Sequence, residues 1–252
     1  MNVTQYLERI GIHDMPEPTL ASLRRIQRSH LFSVPYENLD IVAGKALSLK
    51  LEDLYDKIVV NHRGGYCFEV NELYGWLLRQ LGYHVTDCFA RFLRNDTGIP
   101  KRRHHVLKVD IPGEPLPYLC DVGVGTGSPT YPIRLEENIL QTQGIISYRM
   151  VTDDFLGWIL EEEKHGEWKS IFSFTEEPQL PQDFVAISFF CEKSQDSIFN
   201  KAPIISMRTE TGRRTLDGNA FKEFSGDQVT VHIVDDESER ARYLREWFGM
   251  QL

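Results

Sequence analysis

A cysteine attacks a carbonyl carbon as its thiolate, so a catalytic cysteine needs something that lowers its pKa; a helix N-terminus and a neighbouring imidazole are the two usual means. Cys67 has the setting for both. It follows Arg63-Gly64-Gly65-Tyr66, and after it Val70, Leu73, Tyr74, Leu77, Leu78 and Leu81 recur in helical steps, with Gly82 in the usual stop position. This spacing predicts a helix that begins at or beside Cys67. Gly64 and Gly65 are expected to take backbone angles closed to other residues and so form a tight turn that presents the sulfur. Free N–H groups in such a turn could hold an oxyanion. A buried structural thiol is the competing reading of Cys67. Cys88 in a strand-like run, Cys120 among apolar residues and Cys191 beside Phe189-Phe190 read as core or lining positions.

The base must come from elsewhere in the chain, and His104-His105 opens a run with strand alternation. His105, Leu107 and Val109 share one face; His104, Val106, Lys108 and Asp110 share the other, which the two charges mark as the solvent side. His105 is therefore expected inward as the base and His104 outward. A carboxylate that holds the second ring nitrogen completes such a device. Asp121 ends the run Leu116-Pro117-Tyr118-Leu119-Cys120, which can pair antiparallel with residues 106–111 across Pro112-Gly113-Glu114 and bring Asp121 near His105. Bare spacing leaves Asp110 as an alternative.

These residues need a scaffold, and 252 residues suffice for two or three packed subdomains. Thr19 can cap a helix with Leu20, Leu23 and Ile26 on one face, and Leu51, Leu54, Tyr55, Ile58 and Val59 repeat with helical spacing. From about residue 84 the pattern turns to short β-branched and aromatic runs, including 85–93, 106–111 and 158–162, with hairpin turns at Lys164-His165-Gly166-Glu167 and Thr211-Gly212. The end returns to helix, with Asp235 and Asp236 at its start and Tyr243, Leu244, Trp247 and Phe248 on its apolar face. Helices followed by strands and a mixed tail point to an α+β architecture. The net charge of −9 argues against a nucleic-acid partner. The start lacks a signal-peptide pattern, no apolar run reaches membrane-spanning length, and four scattered cysteines suit a reduced compartment, so a cytoplasmic location is expected. No CxxC pair or other metal-ligand spacing is present, and no metal is expected.

Arg63-Gly64-Gly65-Tyr66-Cys67-Phe68-Glu69-Val70-Asn71 resembles the RGGxCxExN signature of the arylamine N-acetyltransferases. The resemblance continues in Val34-Pro35-Tyr36-Glu37-Asn38-Leu39-Asp40, in His105-Val106-Leu107, in Asp121-Val122-Gly123-Val124-Gly125, in Ser197-Ile198-Phe199 and in Gly212, Arg213 and Leu216. It implies a cysteine-protease-like core built from a helical first domain (1–83), a β-barrel second domain (84–190) and an α/β lid (191–252). It implies a Cys67, His105 and Asp121 triad, acetyl-CoA as acyl donor, and an arylamine or arylhydrazine as acceptor. Acceptor contacts are expected at Tyr36, Phe68, Val124 and Phe189, and CoA contacts at Gly125 and Thr126. Arg91, Arg94, Lys101, Arg102 and Arg103 are further candidates for the CoA phosphates. Tyr36 and Val124 stand where the family usually has Phe, and Thr126 where it has Asn. The lost ring at Val124 should widen the acceptor pocket and weaken stacking.

The same triad could serve a hydrolase, with water as the acceptor, or a fold that only binds. Gly123-x-Gly125-x-Gly127 is no nucleotide loop, since it runs into Pro129 and Pro132 instead of a helix.

Overall fold

The computed structural model describes residues 1–93 and 98–251. Seven α-helices and thirteen strands follow in chain order: α1 (Val3–Arg9), α2 (Leu20–Ser33), β1 (Tyr36–Glu37), α3 (Leu39–Val42), α4 (Leu51–Tyr55), α5 (Cys67–Gln80), β2 (His84–Phe92), β3 (His104–Asp110), β4 (Tyr118–Cys120), β5 (Ile133–Arg134), β6 (Gln141–Gln143), β7 (Ile146–Asp153), β8 (Gly157–Lys164), β9 (Glu167–Phe174), α6 (Asp183–Lys193), β10 (Ile204–Thr209), β11 (Gly212–Asp217), β12 (Ala220–Ser225), β13 (Gln228–Ile233) and α7 (Glu237–Phe248). The caps follow the chemistry of the sequence. The Ser22 N–H donates to Thr19 Oγ1 at the start of α2, and the Glu239 N–H donates to Asp236 Oδ1 at the start of α7.

Helices α1, α2, α4 and α5 bury their apolar faces together through Leu7, Leu23, Ile26, Leu54, Leu73 and Leu77, and Leu107 and Val109 of β3 close that core. A second core fills an eight-stranded sheet of order β5-β4-β3-β2-β9-β8-β7-β6, with Val106, Leu160, Phe172 and Phe174 inside. Gln141 joins the two edges of this sheet: its Nε2 donates to the Arg134 carbonyl and its Oε1 accepts from the Arg134 N–H. The architecture is thus α+β with a barrel-like sheet. A third core, Ile205, Leu216, Phe221, Leu244 and Phe248, seals α7 onto a five-stranded sheet of order β1-β10-β11-β12-β13.

Two expectations change here. The boundary expected at residue 190 falls inside α6. The turn expected at Thr211-Gly212 sits one residue earlier, because Thr209 pairs with Gly212 and leaves Glu210-Thr211 at the tip. The outermost strand β1 is contributed by the helical third of the chain, with Tyr36 opposite Ser206. Asn38 locks that junction by donating to the carbonyls of Phe199 and Ala202 and accepting from the Ile204 N–H.

Strand β3 therefore lies between two apolar layers. His104, His105, Val106 and Leu107 are all fully buried, so alternation along this strand separates two interiors, and neither face meets solvent at the histidines.

Candidate active site

Cys67 is the first residue of α5 and is 2 % exposed. Glu69 anchors the helix start: its Oε2 accepts from the Tyr66 N–H at 3.1 Å and its Oε1 pairs with Lys57. The glycines before it act through absent side chains, which corrects the expectation of special backbone angles. Neither has a positive φ, whereas a Cβ on Gly64 would sit 1.9 Å from the Pro35 carbonyl oxygen. Arg63 then reaches Glu37, which is fully buried, at 2.7 Å. The loop before the nucleophile is thereby clamped to residues 35–37.

The two neighbouring histidines belong to two different acid partners. His104 Nε2 lies 2.9 Å from Asp121 Oδ2, and His105 Nε2 lies 2.9 Å from Asp87 Oδ1. The expectation that Asp121 holds His105 and that His104 points to solvent is overturned. Strand register supplies the reason. Leu107 pairs with Cys120, so one further step sets Asp121 opposite Val106, and side chains directly opposite in an antiparallel pair share a face. Val106 and His104 are on one face; His105 is on the other.

Asn71, one helical turn after Cys67, ties Asp121 to α5. Its Nδ2 donates to Asp121 Oδ1 at 2.9 Å and to the His105 carbonyl at 2.6 Å, and its Oδ1 accepts from the Val122 N–H at 3.0 Å. Asp121 Oδ1 also accepts from the Gly123 N–H at 2.7 Å. A Cβ on Gly123 would lie 2.9 Å from Cys67 Cβ, so the strand end bearing Asp121 runs directly against Cys67. With Nε2–H donating to Asp121, the His104 lone pair is on Nδ1, which is buried and has no hydrogen-bond partner among the described residues.

Burial pushes the Cys67 thiol well up, and the charges of Cys191 and Asp121 push the same way; the backbone N–H groups of His105 and Phe68 oppose them. Those N–H groups direct two donors to the sulfur region, where an oxyanion hole needs them. Burial lowers the pKa of His105, and the bond to Asp87 works against it.

Around the sulfur, Tyr66, Phe68, Phe184, Cys191 and Phe199 form one apolar cluster, with Tyr36, Phe89 and Phe190 packed against it. Tyr36 and Phe68 are thus brought together with Cys67. Phe189 is not: it is 62 % exposed on the outer side of α6, while Phe184 and Cys191 of that helix are buried in the cluster. Val124 packs against the barrel core instead. Gly125 takes a φ of +58° beside Tyr36 and Ser206, and the Thr126 carbonyl accepts from Arg208 Nη2 at 3.0 Å. Of the basic residues, Arg91 donates to the Pro100 carbonyl, Arg102 pairs with Glu177, and Arg94 lies outside the described residues. Asp87, which sequence reasoning missed, sits opposite Leu107 on β2, where only strand register could have paired it with His105. The described residues contain no helix long and apolar enough to cross a membrane.

A family model described as N-acetyltransferase matches residues 19–252. An arylamine N-acetyltransferase of Mycolicibacterium smegmatis is 35 % identical over 243 residues, covering 94 % of this chain and 86 % of the relative. A Salmonella typhimurium protein named arylamine N-acetyltransferase / N-hydroxyarylamine O-acetyltransferase is 29 % identical over 97 % of this chain and 87 % of its own. The solved structure of a Mycobacterium marinum arylamine N-acetyltransferase in complex with CoA superposes with a TM-score of 0.90 at 31 % identity, covering 99 % of this chain and 93 % of that one.

Proposed function

Since this chain belongs to the arylamine N-acetyltransferase family, we propose that it moves an acetyl group from acetyl-CoA to an arylamine or arylhydrazine through a thioester on Cys67, with His104 as the base and Asp121 orienting it. The observation that carries the assignment is the His104–Asp121 bond tied through Asn71 to the helix that begins at Cys67. Asp121 is among the charges that act on Cys67, which favours its histidine over the His105–Asp87 pair.

In the first step Cys67 Sγ bonds to the carbonyl carbon of acetyl-CoA while His104 Nδ1 takes the thiol proton. The N–H groups of Phe68 and His105 stabilise the oxyanion, the carbon–sulfur bond to CoA breaks, and the proton goes to the departing CoA thiolate. In the second step the amine nitrogen bonds to the acetyl carbon, the bond to Cys67 Sγ breaks, and His104 carries a proton from nitrogen to sulfur. Arylamines suit this route because they are unprotonated at neutral pH. Tyr36 and Phe68 supply apolar contact for the acceptor ring, and the segment Gly125-Thr126 supplies contacts for CoA. The reaction belongs in the cytoplasm.

The test is the intact mass of wild type, Cys67→Ala, His104→Gln and His105→Gln after brief exposure to acetyl-CoA without amine. Acetyl gain on wild type, discharged by an arylamine and lost in Cys67→Ala and His104→Gln, supports the reading. Loss in His105→Gln with His104→Gln unaffected moves the base to His105. An acetyl group on no variant removes the thioester route altogether.

A further inference from the structure

On the face of β3 turned away from Asp121, three potential metal-ligating side chains converge that the acyl-transfer scheme does not use. Glu72 of α5, Asp87 of β2 and His105 of β3 are all buried, and one ligand atom from each lies within 4.8 Å of the others. Glu72 is 5 % exposed, and the charges that act on its carboxyl are those of Asp87 and Arg79. Burial and the Asp87 charge resist ionisation of this carboxyl, and the Arg79 charge favours it. His105 Nε2 is bonded to Asp87 Oδ1 at 2.9 Å, and its Nδ1 has no hydrogen-bond partner among the described residues. The ring itself is held firmly: it stacks on Phe184 with centroids 4.1 Å apart, and on Phe68 from α5. Arg79 pairs with Asp87 Oδ2, which leaves Oδ1 facing His105.

We infer that Glu72, Asp87 and His105 form a binding site for one divalent transition-metal ion. One imidazole nitrogen with two carboxylate oxygens is a ligand set for a borderline ion such as Zn2+ or Co2+. Atoms bound to such an ion at about 2.1 Å lie about 3 to 4 Å from one another, so Glu72 draws in while the 2.9 Å contact between His105 and Asp87 opens slightly. Arg79 then orients Asp87 from behind, as outer partners of metal ligands do. An entry path exists, because Glu72 lines an open pocket of about 470 Å³ formed with Leu47, Leu49, Pro181 and Val185. The β3 backbone separates this site from the His104–Asp121 pair. The ion therefore serves the packing of α5 on β2 and β3, and takes no part in acyl transfer.

The experiment uses the full chain stripped of metal by a chelator, returned to chelator-free buffer, and titrated with Zn2+ by calorimetry and with Co2+ by visible absorption. One ion per chain is expected, with cobalt bands of nitrogen and oxygen ligation and no thiolate charge-transfer band. Glu72→Gln, which keeps shape and removes the charge, is expected to weaken binding about tenfold or more. His105→Gln is expected to do the same, and serves alone if Glu72→Gln fails to fold by circular dichroism. Absence of saturable binding overturns the inference, as does unchanged affinity in a folded variant. A thiolate charge-transfer band also overturns it, since it puts the ion on Cys67 or Cys191. Acetyl transfer enters none of these readouts, so failure of the metal site and failure of the proposed reaction are separately visible.

Discussion

The two faces of β3 carry the same pair of residue types at the same distance, 2.9 Å between an imidazole nitrogen and an aspartate oxygen, and do different things with it. On one face Asp121 also accepts from Asn71 and the Gly123 N–H, so its oxygens are fully engaged and it is fixed to the nucleophile helix. On the other, Asp87 shares its charge with Arg79, and Glu72 stands beside it, its ionisation opposed by burial and by Asp87 and favoured by Arg79. A histidine–carboxylate contact is thus no signature of catalysis by itself. What surrounds the carboxylate decides whether the pair serves a neighbouring sulfur or leaves negative charge for a cation.

The largest effect that can break this contrast is on acylation. Cys67→Ala and His104→Gln are each expected to slow single-turnover acetylation by about 10³-fold or more, and His105→Gln by far less, as read by quenched-flow mass spectrometry. Equal losses in the two histidine variants would erase the distinction between the faces. Asp121→Asn leaves the hydrogen-bonding shape but allows the wrong imidazole tautomer; a loss of about 10²- to 10⁴-fold in kcat is expected, with substrate KM little changed. Asp87→Asn, measured alongside, should leave kcat within about tenfold of wild type.

Next in size is the clamp ahead of the nucleophile. Gly64→Ala drives a Cβ into the Pro35 carbonyl, and a destabilisation of about 3 kcal/mol is expected in urea unfolding, with acetylation falling in parallel. A wild-type midpoint in that variant would show that the loop yields, and that Pro35 does not set its position.

The smallest effect probes the Glu72 carboxylate. Burial and the Asp87 charge raise the Glu72 pKa from 4.5 to about 7. A carboxyl that holds its proton more tightly when folded costs nothing below pH 4.5, costs progressively more as pH rises to 7, and levels off above. In metal-free protein Glu72→Gln should therefore raise stability by about 1 to 2 kcal/mol at pH 8 and hardly at all at pH 4, as read by urea midpoints at the two pH values. A gain that is equal at both would place its cause outside the carboxylate charge.

Much of the site was legible before any coordinates. Helical spacing after Cys67 located the start of α5, and the pairing of 116–120 with 106–111 was read from turn chemistry between two apolar runs. Thr19 and Asp236 act as helix caps because short polar side chains satisfy the first free N–H groups, a rule local in sequence. The choice between His104 and His105 was not legible. Charges at Lys108 and Asp110 suggested a solvent face, but those residues lie further along β3, where burial fades, and they report nothing about its buried start. The side-chain period of two makes a one-residue difference a change of face, so the pairing of β3 with β4 alone decided which histidine meets Asp121. Phe189 failed for a related reason. Phe184 and Phe189 are five residues apart and so point about 140° apart on α6, and only the packing of that helix on the cluster around Cys67 chose Phe184 over it.

What the sequence determined by itself is the chemistry available: a cysteine at a helix start, glycines and an arginine ahead of it, paired histidines opening a strand, and aspartate at a strand end. Those follow from local rules, in which spacing and side-chain type suffice. What only the tertiary structure decided is which acid each histidine meets, why Gly64 must lack a side chain, and that Glu72 lies beside Asp87 and His105. Each of these depends on contacts between segments far apart in the chain, and such contacts are set by strand register and by the packing of α5 against β2 and β3, where local propensity has no influence.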